Sequence, residues 1–81
     1  MKISGYGNEG LSVQDIRHTE LAEITLNASP DELRKIAAFL SSAADTMERM
    51  GTRFSHEHLS DKQSGFDSSP HLTVFNSELA Q

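Results

Sequence analysis

Residues 29–51 read SPDELRKIAAFLSSAADTMERMG, and they decide the fold because they carry the start and stop signals of one long helix. Ser29 is a favourable N-cap, and Pro30 fits the first helical position, where a missing N–H costs nothing. Glu32, three residues after Ser29, completes a capping box. The final glycine of the stretch is a typical helix stop. We therefore predict a helix over Pro30–Met50.

The predicted helix is amphipathic. On a wheel of about 100° per residue its apolar residues form one stripe, which should face the core. Phe39 and Met50 lie at the edge of this stripe, and we expect them to pack under a loop, with a partner-binding ridge as the alternative. The stripe contains Leu33, Ile36, Ala37, Leu40, Ala44 and Met47, and it is widened on one side by Phe39, Ala43 and Met50.

Alternating apolar and polar residues predict strands on both sides of the helix. Residues 21–28 would turn Ala22, Ile24, Leu26 and Ala28 inward, and residues 71–75 would turn Leu72 and Val74 inward. Weaker candidates are residues 2–6, which could pair with residues 21–28, and residues 53–59. Residues 8–20 suit either a strand or a loop, and residues 60–70 have the composition of a loop.

This order of elements predicts an α+β domain. A small, mainly antiparallel sheet of three to four strands, in the order ββαββ, would pack one face on the long helix. We assign residues 1–81 to a single domain, with an N-terminal strand or loop at 1–19, a core at 20–77 and a tail at 78–81. The other face of the predicted sheet lacks a cover.

Charge and composition exclude several classes of function. The net charge is −5 and the seven basic residues are scattered, which argues against a nucleic-acid partner and favours a basic one. The chain has no cysteine, so a thiolate metal site or a cysteine nucleophile is excluded. No apolar run has the length of a membrane span or a signal peptide. These features predict a cytoplasmic protein.

Residues 54–61, FSHEHLSD, form the densest cluster of reactive side chains. In an extended segment His56 and His58 project to the same face, and Asp61 or His71 could add a third ligand for zinc. The alternative, which we favour, is that the histidines contact a partner or brace the following loop. No catalytic set accompanies them, so we do not predict an enzyme.

The uncovered sheet face is the predicted interaction surface. If the apolar strand residues point inward, Glu23, Thr25, His71, Thr73 and Phe75 point outward. An exposed aromatic among polar groups is suitable for an interface, although a solvated face or a homodimer contact would look the same. The predicted partner-binding residues are Phe54, His56, Glu57, His58, Asp61, His71 and Phe75.

Four segments together resemble one bacterial family, immunity protein 32 of polymorphic toxin systems. They are ASPDEL at 28–33, AAFL at 37–40, FSHEHLSD at 54–61 and PHLTVFN at 70–76. The resemblance covers roughly residues 20–77 and implies an antitoxin that blocks a cognate toxin by forming a tight complex. We predict that the protein uses no cofactor. A small zinc protein using His56, His58 and Asp61, or a structural or regulatory homodimer, are the alternatives.

Overall fold

The computed structural model describes residues 1–7 and 21–79 and confirms the α+β class with one long helix. The predicted strand or loop at 8–20 lies outside the described residues. Among the described residues, no helix combines the length and apolarity that crossing a bilayer requires. The elements are β1 (Lys2–Gly7), β2 (Leu21–Asn27), α1 (Pro30–Met50), a 3₁₀ turn (Gly51–Arg53), β3 (His56–His58), α2 (Leu59–Lys62) and β4 (Thr73–Phe75).

The bounds and caps of α1 are those that the sequence predicts. The backbone N–H of Glu32 donates to Ser29 Oγ at 3.2 Å, and the backbone N–H of Ser29 donates to Glu32 Oε1 at 2.9 Å. The amino group of Met1 lies 2.9 Å from Glu32 Oε2. At the other end Gly51 has a φ of 57°, a value that favours glycine. The capping box therefore also anchors the start of the described chain.

These contacts make Glu32 a source of pH-dependent stability. The hydrogen bond from the Ser29 backbone, followed by that from the Met1 amino group, lowers the pKa of Glu32 from its usual 4.5. Stabilisation by the carboxylate is therefore present above pH 4.5 and is lost as the pH falls through the lowered pKa. Glu32→Gln keeps the capping acceptor but removes the charge.

We expect Glu32→Gln to show a smaller fall in melting temperature than the parent protein on acidification from about pH 6 to about pH 3. Thermal unfolding followed by circular dichroism measures how steeply the melting temperature of each protein falls with pH. Asp45→Asn, which removes an exposed carboxylate from another turn of α1, is the matched control. If the melting temperatures of Glu32→Gln and the parent fall equally with pH, Glu32 is not a source of pH-dependent stability.

The strands form two separate antiparallel pairs. β1 pairs with β2 from Lys2↔Asn27 to Gly7↔Leu21, which confirms the predicted pairing of these segments. β3 pairs with β4. The prediction of one sheet with three to four strands is wrong, because no pairing joins the two sheets within the described residues. Alternation along a strand distinguishes its two faces but does not determine which strands are neighbours.

β2 is exposed along its whole length. The predicted inward side is solvent-accessible, with Ile24 55 % and Leu26 36 % exposed. The expectation of a half-buried strand is therefore wrong. The reason is that α1 turns its buried face toward the second sheet and α2, so that the apolar side of β2 has no covering layer among the described residues.

The core lies between α1 and the segment that follows it. Phe39 is 1 % exposed, which confirms that it packs under a loop, and Phe66 of that loop is 2 % exposed. Leu33 and Leu40, predicted to lie within the buried stripe, are 46 % and 47 % exposed, so the buried face of α1 is rotated toward Phe39. The core cluster contains Ile36, Phe39, Leu59 and Phe66, with Met1, Leu72 and Val74 packed against it.

Candidate functional site

The short β3–β4 sheet has one face toward the core and one face toward solvent. Residues opposite each other on paired antiparallel strands project to the same side. Glu57 pairs with Val74, which packs against the core, whereas His56 pairs with Phe75 and His58 pairs with Thr73. The alternation of the strands therefore directs both histidines away from α1.

Four rings form a continuous series on this outer face, and we call them the ring row: Phe75, His56, His58 and His71. The rings of Phe75 and His56 stack with an interplanar angle of 6° and centroids 6.1 Å apart. His56 and His58 meet edge to face at 5.1 Å, and His58 and His71 do so at 5.5 Å. The ring row thus extends from β4 across β3 to the residue two positions before β4.

Hydroxyl groups fix the orientation of two of these rings. A hydrogen bond of 2.8 Å joins Thr73 Oγ1 and His58 Nδ1, and one of 3.1 Å joins Ser55 Oγ and His56 Nδ1. Because Nδ1 is occupied in both histidines, Nε2 is the ring nitrogen that each can offer to a partner. His56, His71 and Phe75 are exposed, and His58 is half-buried.

Asn76 holds together the backbone segments that carry the ring row. It is 1 % exposed, and its Nδ2 donates to the carbonyl oxygens of Gly51 and Phe54 at 3.1 and 3.0 Å. Its backbone N–H donates to the Ser55 carbonyl at 2.9 Å. Asn76 therefore links the turn after α1, the approach to β3 and the end of β4. Sequence reasoning missed this role, and the only available signal was the asparagine between a strand and a turn.

The predicted partner-binding residues do not all reach this face. Phe54 is 3 % exposed and belongs to the interior, because it precedes β3 and the strand alternation does not extend to it. Glu57 lies on the opposite side of the sheet, and its Oε2 is 3.1 Å from Lys62 Nζ. Asp61 is exposed on α2, outside the strand. The structure brings together His56, His58, His71 and Phe75.

The first sheet makes no contribution to the ring row. Glu23 and Thr25, predicted to share the outer face with His71 and Phe75, belong to β2, and β2 pairs only with β1 among the described strands. Thr25 Oγ1 donates to Glu23 Oε2 at 3.1 Å, so the two side chains bond each other.

The described residues contain no group of three His, Asp or Glu side chains arranged to hold a metal ion. Asp61 lies on α2, which begins at Leu59, and even a continued strand would have placed it on the face opposite His56 and His58.

Residues 23–77 match the model of the family described as immunity protein 32. The chain belongs to this family. Neither a curated protein nor a solved structure matches the chain. The match to immunity protein 32 begins within β2 and ends just after Asn76, so it includes α1, the whole ring row and the asparagine that supports it.

Proposed function

We propose that this member of the immunity protein 32 family neutralises a cognate toxin by direct protein–protein binding through the ring row. Family membership supports the role of toxin inhibitor. The choice of surface rests on the continuous series of rings from Phe75 to His71, in which three of the four rings are exposed. The protein acts without catalysis in this proposal, and the predicted cytoplasmic location is part of it.

The ring row is suitable for tight binding because its side chains are held in place before the partner arrives. Aromatic anchors at the centre of an interface contribute much of the binding free energy. Stacking of Phe75 on His56 and the hydrogen bond between Thr73 and His58 restrict these rings, so less conformational entropy is lost on binding. The imidazole nitrogens add hydrogen-bonding capacity beside an apolar surface.

Charge supports the same type of partner. The net charge of −5 favours approach of a toxin domain with a basic active site or a basic binding surface. Electrostatic complementarity of this kind accelerates association and improves discrimination between partners. Steric blocking by the ring row then requires no chemical step by the immunity protein.

Truncation of the ring row tests this proposal. We expect Phe75→Ala and His56→Ala each to weaken binding to the toxin domain encoded beside the protein by about 30-fold, which corresponds to about 2 kcal/mol for a hot-spot side chain. Isothermal titration calorimetry measures the dissociation constants. Leu21→Ala is the matched control, because it truncates an apolar side chain that is 52 % exposed and lies outside the ring row.

Two failures of this experiment have different meanings. If the parent protein does not bind the adjacent toxin domain, the proposed function is wrong. If the parent binds and both variants bind equally well, toxin binding stands but the ring row is not the binding surface. The same titration with EDTA and with added zinc tests the zinc alternative, since a requirement for zinc would contradict a metal-free complex.

A further inference from the structure

α1 carries a second apolar face that the core does not use. We call it the outer seam, and its members are Leu33, Ala37, Leu40, Ala44 and Met47. They are separated by four, three, four and three residues, the spacing of the a and d positions through which helices pair. Leu33 is 46 % and Leu40 47 % exposed, and both alanines are exposed as well. Such a seam is unusual for a helix face that only meets water.

Opposite charges lie beside the two ends of the outer seam. Arg34 follows Leu33 near the start of the seam, and Glu48 follows Met47 near its end. Both side chains are exposed, and neither forms an ion pair with another described residue. Both follow a seam residue directly, so they border the seam on the same side, away from Ile36 and the core.

We infer that the outer seam binds the outer seam of a second copy of this chain in an antiparallel pair. If Leu40 faces Ala44 of the partner subunit, the same register places Ala37 opposite Met47 of the partner subunit. Each layer then combines a large side chain with a small one, as close packing between helices requires. A parallel pair would place alanine opposite alanine and leave gaps.

The same register also pairs the charges. It brings Arg34 beside Glu48 of the partner subunit, and two-fold symmetry repeats this pair at the other end. Beyond it, Leu33 reaches Gly51 of the partner subunit. A groove of about 320 Å³ lies at this position, lined by Ala44, Met47, Glu48, Gly51 and Glu78. Its two carboxylates favour the approach of the arginine, so shape and charge agree on a second copy as the occupant.

This pairing is independent of the proposed toxin binding. The ring row lies on the face of the β3–β4 sheet that points away from α1, whereas the outer seam lies on α1 itself, so pairing through the seam does not require covering the ring row. The seam from Leu33 to Met47 is about 21 Å long at 1.5 Å per residue. An interface of this length is small, so the dimer should dissociate on dilution.

Analytical ultracentrifugation of the intact protein from about 1 to about 500 µM tests the inference. We expect the mass to rise from 8.9 kDa toward twice that value with concentration. Leu40→Glu should remain monomeric throughout. Arg34→Glu and Glu48→Arg should each shift the dissociation constant upward by about tenfold, because each places like charges together twice. The double variant, which carries both Arg34→Glu and Glu48→Arg, should return the dissociation constant to that of the parent protein.

The charge swaps are suited to this test because both agree with the helix dipole, which favours acidic residues near the start and basic residues near the end of α1. Circular dichroism checks that each variant is folded. A monomer at every concentration overturns the inference, as does a dimer that Leu40→Glu leaves intact or a double swap that does not restore pairing. If Leu40→Glu weakens toxin binding while the parent stays monomeric, the outer seam is a toxin contact and the inference is wrong.

Discussion

Phe66→Ala is expected to lower the free energy of unfolding by about 3–5 kcal/mol, the usual cost of truncating a buried phenylalanine. Phe66 is 2 % exposed and packs in one cluster with Phe39 and Leu59. A domain of this size has a thin core, and its total stability is expected to be a few kcal/mol. We therefore expect this single change to unfold a large part of the population at room temperature.

Urea denaturation followed by circular dichroism measures the loss. Phe75→Ala is the matched control, because it makes the same chemical change at a ring that is 40 % exposed, and we expect it to cost about 1 kcal/mol or less. Phe66→Leu keeps most of the apolar volume and provides a folded comparison if Phe66→Ala does not fold. Equal losses for Phe66→Ala and Phe75→Ala would show that the loop does not contribute to the core as described.

Phe66 also shows where sequence reasoning reached its limit. The helix could be predicted to the residue because its signals are local: Ser29, Pro30 and Glu32 at one end and Gly51 at the other act through neighbouring backbone groups. By contrast, the stretch around Phe66 has the composition of a loop. Its burial depends in part on packing with Ile36 and Phe39, which lie more than twenty positions away and which composition does not reveal as neighbours.

The orientation of α1 was only partly predictable for the same reason. The apolar stripe of the helix spans roughly 160° of its circumference at about 100° per residue, and the sequence does not determine which part of the stripe faces the core. The structure buries Ile36, Phe39 and Ala43 and exposes Leu33 and Leu40. Likewise, alternation in β2 identified the side that carries Ile24 and Leu26 but could not identify a covering layer.

The sequence could predict only part of where the candidate site residues lie. Period-two alternation placed His56, His58 and Phe75 on one face, and the structure shows this face. It failed for Phe54 because strand β3 is only three residues long. Asn76 was missed because its side chain bonds to backbone carbonyls that the sequence does not bring together in any visible pattern.

Asn76→Ala is expected to lower the free energy of unfolding by about 2–4 kcal/mol, because it leaves buried acceptors without their donors. The amide of Asn76 donates to the carbonyl oxygens of Gly51 and Phe54, and its Oδ1 accepts from the backbone N–H of Glu78 at 3.0 Å. Urea denaturation measures the loss. Ser68→Ala, at an exposed loop position, is the control and should change stability by about 0.5 kcal/mol or less.

Asn76→Asp should be more destabilising than Asn76→Ala at neutral pH, because it turns a carboxylate oxygen toward the carbonyl oxygens that the amide now serves. Burial and these oxygens raise the pKa of the introduced carboxyl above its usual value of about 3.9. The extra penalty therefore grows as the pH rises above that value and disappears below it, where the protonated carboxyl can donate one hydrogen bond. Melting temperatures of the two variants, measured at the same pH from about 3.5 to about 7.5, report this difference directly. If the gap between them stays constant with pH, the Asn76 amide does not face the Gly51 and Phe54 carbonyls as the structure places it.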